Sequence, residues 1–490
     1  MKKFSKVLSI LLSVVLVVSS FYLLYQVIRL NVLPSKFLFP LTIGVVVLDA
    51  IFILLLIYFS KNVVSRIICV VLTLLVCAAS CFGGYYISKT KSALSNITNV
   101  AKHAKNTVSV IVKESSSIKN KSQLNGVSVG SLRLNEQGSK KALKELSGEG
   151  IVLNQKEYDS MTALLEAFYN GEVDSIIINE SSRSQILDME AYSNFDSNTR
   201  VVYQTSYKVK NNDSATSVSD ITSKPFNVLI SGSDTRGGFD ENGRSDVIMI
   251  ATVNPKTHTI LLTSVPRDFY VTTACDAGDG CMQGALDKIT HTGIHGTNTT
   301  KRTVEQLLGI EINYTFKVGF DTVTELVDVL GGVDVYVEPG YATTTSEFSV
   351  HEGVNHLNAQ QALAFARERY SYTEGDRQRT KNQQQVLMGI VKEATKPSVI
   401  TNYAAIMDTM ANTFSTTMSN EEITDLIKYQ LNNNPTWKME QYMVDGTGDT
   451  LMCAELGDAA SVMVPDQSTV KMAKDKINAV LAGKSSEDVK

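Results

Sequence analysis

Several common chemistries are excluded by what this sequence lacks. Its formal net charge is only −4, so nothing in its overall balance attracts nucleic acid, and no helix-turn-helix pattern stands in its N-terminal part. The six cysteines include no pair at zinc-type spacing. His291 and His295 stand at i, i+4, yet no glutamate follows His291 and no third ligand is evident, which disfavours a zinc hydrolase. The run SGSDT is not the strand-to-helix elbow of a serine hydrolase.

What is present is unevenly distributed. Mean hydropathy is near zero, high for a soluble chain, and the apolar excess lies at the N-terminus. Three apolar stretches, at about residues 7 to 29, 37 to 59 and 67 to 87, each approach the roughly 20 residues a helix needs to span a bilayer. The first is too long for a signal-peptide core and is followed by two more, so three membrane spans are expected. Lys2, Lys3 and Lys6 before the first span, with Lys61 and Arg66 between the second and third, place those segments in the cytoplasm and the rest of the chain outside. Asp49 interrupts the second span at a depth costly enough to make it a functional candidate. The favoured reading, because no basic residue sits at matching depth in the other spans, is that a neighbouring span supplies a polar partner or that it snorkels locally.

A chain of 490 residues exceeds what one core usually serves. Beyond the spans (1–87), residues 88–106 read as a stalk, 107–210 as a small accessory α/β unit, 211–224 as a polar linker, and 225–484 as a larger domain. In that last region, strands such as Phe226 to Ile230, Val247 to Val253 and Thr259 to Val265 precede helical patterns at Lys301 to Leu308, Thr322 to Leu330, Ala359 to Arg367 and Arg377 to Ala394. The fold class expected is α/β, an α/β/α layered domain on a central mixed sheet. Cys275 and Cys281 bracket a turn in which Gly278 and Gly280 permit a tight return, so their sulfurs are expected close enough to pair in an oxidising compartment.

Charged residues cluster where the apolar strands end, the place where open α/β sheets bind ligands. Asp234 ends the first strand, Arg244 and Asp246 precede the second, and Arg267 and Asp268 end the third. Further on, Asp376, Arg379 and Gln383 fall at i, i+3 and i+7 on one helical face, just after Arg367 and Arg369. Arginine suits phosphate because its planar fork donates two parallel hydrogen bonds and keeps its charge, and several together suit a diphosphate. Asp234 and Asp246 are hard oxygen ligands of the kind magnesium takes alongside substrate phosphate oxygens.

The runs SGSDTR, GRSDVIMI, VPRD, LGGVDV, HLNAQQALAFARER and GDRQR with Gln383 occur in one order from Phe226 to about Glu393. In these the chain resembles the LytR-CpsA-Psr family of envelope phosphotransferases, and its three spans and accessory unit resemble the streptococcal capsule-associated members. The resemblance implies a magnesium-dependent transferase that moves a glycan, a capsular polysaccharide or another anionic wall polymer, from a polyprenyl pyrophosphate carrier to peptidoglycan. A polyprenyl pyrophosphate phosphatase side activity goes with it. It also implies that Arg244, Arg267, Arg367, Arg369, Arg379 and Gln383 hold the phosphates and that Asp234 and Asp246 hold Mg2+. Asp234, Arg267 and Arg367 are the residues expected closest to the chemistry, with Asp268 and Asp376 as orienting carboxylates. Many relatives carry R-x-x-R-Q in the last motif, where this chain has Asn382 in place of the second arginine. The competing reading is a membrane regulator of capsule synthesis or transcription that binds lipid-linked precursors.

Overall fold

The computed structural model describes residues 2–59, 62–100, 103–133, 136–210, 213–233, 241–276, 280–396 and 399–489. The chain divides into two compact units, one formed by Met1–Asn96, Glu393–Ala411 and Ser419–Thr436, the other by Ile97–Lys392, Asn412–Met418 and Trp437–Lys490.

The first unit contains α1 (Lys2–Leu30), α2 (Ser35–Leu54, continued by a π turn at Leu55–Phe59) and most of α3 (Val63–Val100). Three segments within them, Lys6–Leu30, Ser35–Tyr58 and Val63–Thr98, are long and apolar enough to cross a membrane. The third helix does not stop where its apolar run ends, so residues 88–100 of the stalk are helical. Asp49 receives a hydrogen bond from Ser20 of α1 at 2.8 Å, so the polar partner that its depth demanded comes from the neighbouring span. Near the turn between α1 and α2, Lys428 Nζ donates to Asn31 Oδ1 at 2.9 Å and Lys36 Nζ donates to the Asn432 carbonyl at 2.6 Å. These bonds tie the helix Asn420–Asn433 to that turn.

The second unit opens with a five-stranded sheet of β1 (His103–Lys113), β2 (Ser128–Leu132), β3 (Asn154–Tyr158), β4 (Ser175–Asn179) and β5 (Thr199–Lys210), in the order β3-β2-β4-β1-β5. The helices α4 (Glu136–Gly148) and α5 (Met161–Asn170) cover it, and Ile111, Leu164, Phe168, Ile176 and Ile178 pack together without exposure. The long pairing of β1 with β5 carries an irregularity between Val110 and Ile111, which lets the strand curve.

The larger sheet is built from β6 (Phe226–Ser233), β7 (Val247–Asn254) and β8 (Thr259–Val265), an antiparallel meander. After α6 (Thr297–Leu308), β9 (Tyr314–Gly319) joins parallel to β6, and α7 (Phe320–Leu330) follows. Two more helices, α8 (Ala359–Arg367) and α9 (Asp376–Ala394), precede β10 (Phe414–Thr416), which pairs antiparallel with β9. The sheet is completed by β11 (Lys438–Met443), parallel to β8, and α10 (Gln467–Leu481) follows. It is a six-stranded mixed sheet within an α/β fold.

Near-continuous apolar runs mark strands buried on both faces, and every residue of β8 is buried. Leu229, Ile250 and Leu261 pack with Val304 and Leu308 of α6 and Ile477 and Val480 of α10. A second cluster joins Val327 of α7, Phe365 of α8 and Val386 of α9. Each fully buried aliphatic or aromatic side chain of this kind stabilises the fold by about 1.5–3 kcal/mol. That margin allows the polar strand ends to be arranged for something other than stability.

Candidate functional site

The C-terminal ends of β6, β8 and β11 and the N-terminal end of β7 lie along one edge of the sheet, as their pairing registers require. Asp246 precedes β7 and is held there by its own backbone, whose N–H donates to the Gly232 carbonyl at 2.8 Å. Arg267 follows β8 and reaches back across the strand end. Its Nη1 donates to Asp246 Oδ1 at 2.8 Å, and Arg244 Nη2 lies 3.8 Å from the same oxygen. Thr290 Oγ1 stands 3.4 Å from it too, so the named contacts to this carboxylate fall on Oδ1. Sequence reasoning did not single out Thr290, nor Lys288, whose Nζ is 3.4 Å from Asp268 Oδ1 while Arg267 Nε is 3.7 Å from Asp268 Oδ2.

The segment 243–246 is fixed by hydroxyl groups. Ser245 Oγ lies 2.9 Å from Ser231 Oγ and 3.0 Å from Thr300 Oγ1, and the Ser245 N–H donates to the Thr290 carbonyl at 2.9 Å. Thr290 N–H in turn donates to the Arg267 carbonyl at 3.0 Å. Gly293 allows this packing, since a Cβ there would meet Gly243 O and Ser245 N at 2.5 Å. The histidines of the same segment are structural. His291 Nδ1 is 2.7 Å from Asp287 and His295 Nε2 is 2.9 Å from Glu455, two different carboxylates. The segment is a 3-10 helix, in which residues four apart sit about 120° from one another and share no face.

The helix α9 brings the second group of arginines. Arg379 Nη2 lies 2.5 Å from Asp376 Oδ1, an i, i+3 pair on the face that carries Gln383. Burial pulls the Arg379 guanidinium below its ordinary pKa; Asp376 opposes this, and the like charges of Arg267 and Arg369 add to the lowering. The Arg267 guanidinium is shifted the other way: burial works against its charge, but Asp246 and Asp268, with Asp376, outweigh it. Arg267, Arg369 and Arg379 are therefore in electrostatic contact although they come from the end of β8, the segment after α8 and the start of α9. Arg369 also lies over the Tyr370 ring, 4.6 Å from its centroid. Arg367 closes the last turn of α8 and is exposed. Asp234 lies outside the described residues.

Three of the arginines have a common property. Arg244 Nε, Arg267 Nε and Arg379 Nε are buried N–H donors with no hydrogen-bond acceptor among the described residues. Buried donors are almost always paired, because an unmade bond costs about 1–3 kcal/mol. Two of these donors flank Asp246, and the third, on Arg379, belongs to a guanidinium that feels the charge of Arg267, a grouping with the chemistry to hold an anion. Ser233 Oγ, at the end of β6 beside Asp246, is a fourth buried polar atom without a partner there. Asp246 Oδ2 carries no hydrogen bond among the described residues, which leaves one carboxylate oxygen of the hard kind that magnesium takes.

Arg244 has a further contact, with the carboxylate of Asp188 from the five-stranded sheet's own helix Arg183–Asp188. Asn382, where relatives carry arginine, is buried: its amide donates to the Phe365 carbonyl at 3.0 Å and its oxygen accepts from Gln378 at 3.0 Å. That position serves the α8–α9 packing in this chain. The structure joins Cys275 and Cys281 in a disulfide with their Cα atoms 6.5 Å apart.

Comparison with known proteins shows the family. The LytR_cpsA_psr family profile matches residues 191–479. The chain is 31% identical over 241 residues to the polyisoprenyl-teichoic acid–peptidoglycan teichoic acid transferase TagU of Bacillus cereus (strain AH820), covering 49% of this chain and 76% of that protein. It is 34% identical over 203 residues to the Bacillus subtilis (strain 168) protein of the same name, covering 41% and 63%. Among solved structures, B. subtilis TagU is 28% identical with a TM-score of 0.41, covering 53% of this chain and 97% of that one. The Streptococcus agalactiae protein gbs0355 is 25% identical with a TM-score of 0.46, covering 54% and 89%. With well over half of its length matched by the family profile, this chain belongs to the LytR_cpsA_psr family.

Proposed function

We propose that this chain is a membrane-anchored phosphotransferase that moves a glycan, with its linking phosphate, from a polyprenyl pyrophosphate carrier to peptidoglycan outside the cytoplasm. The observation that carries this reading is the set of three buried Nε donors without an acceptor among the described residues, those of Arg244 and Arg267 beside Asp246 and that of Arg379 beside Asp376. The name of the TagU relatives, a transfer from a polyisoprenyl carrier to peptidoglycan, supports it. The transferred polymer is a capsular polysaccharide or another anionic wall polymer.

In this reaction an acceptor hydroxyl oxygen attacks the phosphorus attached to the glycan. The new P–O bond forms as the bond to the bridging oxygen breaks, prenyl phosphate leaves, and the hydroxyl proton passes to phosphate or solvent. Such transfer depends on positioning and charge stabilisation more than on a dedicated base. Arg267 and Arg379 hold the diphosphate, with Arg367, Arg369 and Gln383 at its edge and Arg244 beside the glycan-bearing phosphate. Asp268 and Asp376 orient Arg267 and Arg379. Asp246, with Asp234, would hold Mg2+, which supplies further neutralisation of phosphate charge when bound. If water takes the acceptor's place, the same site hydrolyses polyprenyl pyrophosphate.

The orientation follows from charge. With Lys2, Lys3, Lys6, Lys61 and Arg66 cytoplasmic, the turn between α1 and α2 is external. With three spans, the chain after the third then continues on the external side, which supports an external catalytic domain. The reading is tested with full-length protein in lipid nanodiscs supplied with a polyprenyl-pyrophosphate-linked glycan and peptidoglycan. Wild type transfers the glycan and Arg267→Ala does not; equal transfer by both overturns the reading.

A further inference from the structure

A cavity of about 1020 Å3 opens beside the five-stranded sheet, where Glu241, at the start of the segment that carries Arg244, bridges to Lys105 of β1. Its floor is formed by Lys105 and Thr107 of β1 and Gln204 and Ser206 of β5. The segment Glu241 to Arg244 forms one wall and the helix Arg183–Asp188 another. We propose that this cleft is a glycan subsite, binding an uncharged, hydroxyl-rich oligosaccharide next to the diphosphate site. The inference rests on the proposed transfer reaction and adds to it where the sugar lies.

The lining selects the ligand class. Four basic and four acidic side chains line the cleft, so their formal charges cancel. The cations are also paired locally, with only Arg244 Nε left without an acceptor among the described residues. Arg183 pairs with Glu180 at 2.6 Å and Asp196 at 2.9 Å, Lys105 with Glu241 at 2.9 Å, and Arg200 with Glu114 at 2.8 Å, while Arg244 meets Asp188. A second free phosphate or polyanion has no unneutralised charge to meet there. Only Leu187 and Val201 are aliphatic, too little for a prenyl chain. Of the six hydroxyl side chains and two amides in the lining, Thr107 and Thr199 donate to Glu241 and the Phe195 carbonyl, and Gln204 Nε2 donates to Ser109; the hydroxyls of Ser181, Ser184 and Ser206, the Gln204 amide oxygen and the Asn242 amide are the groups that match sugar hydroxyls.

Two further observations point to a ligand. Ser181 Oγ is buried in this lining with no hydrogen-bond partner among the described residues. Arg244 belongs to both places: it lines the cleft, and its Nη2 is 3.8 Å from Asp246 in the arginine cluster. A sugar in the cleft is therefore adjacent to the phosphate that would link it. The volume is at the upper end of the ~300–1,000 Å3 usual for ligand pockets, which suits an oligosaccharide better than a single ring.

The test uses full-length protein in nanodiscs and two soluble, uncharged probes, an N-acetylglucosamine tetrasaccharide standing for the backbone of the acceptor strand and a carrier-free oligosaccharide of the neutral sugars of the transferred polymer for the donor. Binding is measured by titration calorimetry for wild type, Ser206→Trp, which fills the cleft, and Gln204→Ala, which removes one amide. Geranylgeranyl pyrophosphate binding on the same samples reports that each variant is folded. At least one probe is expected to lose about tenfold or more in affinity with Ser206→Trp and several-fold with Gln204→Ala. The probe that responds identifies the cleft as acceptor or donor subsite. If neither probe binds wild type, or if both variants bind as wild type does, the glycan subsite is overturned. If wild type binds no geranylgeranyl pyrophosphate, the transfer reading fails, and the glycan titrations still decide the cleft by themselves.

Discussion

Arg267 Nη1 and Asp246 Oδ1 meet at 2.8 Å across two neighbouring strand ends, and Arg244 approaches the same carboxylate oxygen from the other side. Asp246 is therefore more than a polar strand end that could be removed at no cost to the fold. Its side chain is only 10% exposed, and without it two buried guanidinium groups face each other with less compensation. Asp246→Ala is expected to lower stability by about 1–3 kcal/mol as well as abolishing transfer. Urea denaturation of the detergent-solubilised protein measures the first effect and a transfer assay the second. Unchanged stability with lost transfer would show that the pair is not a structural contact.

Arg267→Lys should not rescue activity. A lysine can place a positive charge near Asp246, but it cannot reproduce two parallel hydrogen bonds or the Nε donor. Transfer is expected to fall on the order of 10²–10³-fold, with the variant's thermal midpoint close to that of wild type. A lysine variant within a few-fold of wild type would mean that point charge alone is enough at this position.

Gly293→Ala tests the support of the site from outside it. The added methyl would press on Gly243 O and Ser245 N, both backbone atoms that cannot rotate away. The segment that places Arg244 must then move, at a cost of about 1–3 kcal/mol for overpacking. Lower thermal stability together with weaker prenyl pyrophosphate binding is expected. Normal values for both would show that this segment has slack.

Asp213 provides a pH test of the second unit. Burial pushes its carboxyl up from the ordinary 3.8 to about 6, against the opposing hydrogen bond from Thr315. Because the folded value lies above the unfolded one, the neutral form is favoured in the fold. The stabilisation is complete below about pH 4 and is lost as pH rises through about 6. Asp213→Asn should flatten that part of the curve of thermal midpoint against pH, and an unaltered slope would contradict it.

Much of the site could be read along the sequence because its residues sit where local patterns end. Arg244, Asp246 and Arg267 flank apolar strands, and the i, i+3, i+7 spacing of Asp376, Arg379 and Gln383 is a helical face in any context. The supporting residues could not be found that way. Ser231, Ser245, Thr290 and Thr300 are ordinary hydroxyl residues until folding stacks them, and no local signal distinguishes them. The same holds for the Arg244–Asp188 contact, which joins the end of the helix Arg183–Asp188 to the loop before β7. Asn382 illustrates the converse: a departure from the motif that looked like a change in the site is a buried amide joining α8 and α9. Likewise, the i, i+4 histidines suggested a shared face only on the assumption of an α-helix, and the segment is 3-10.

The most direct measurement is the side-chain ¹H–¹⁵Nε spectrum of arginine-labelled full-length protein in nanodiscs, titrated with geranylgeranyl pyrophosphate. The proposed site predicts that the Nε–H signals of Arg244, Arg267 and Arg379, assigned through Arg→Lys variants, shift together along one saturating curve as their missing acceptors arrive. Saturating prenyl pyrophosphate that leaves these three signals in place would contradict the proposed function.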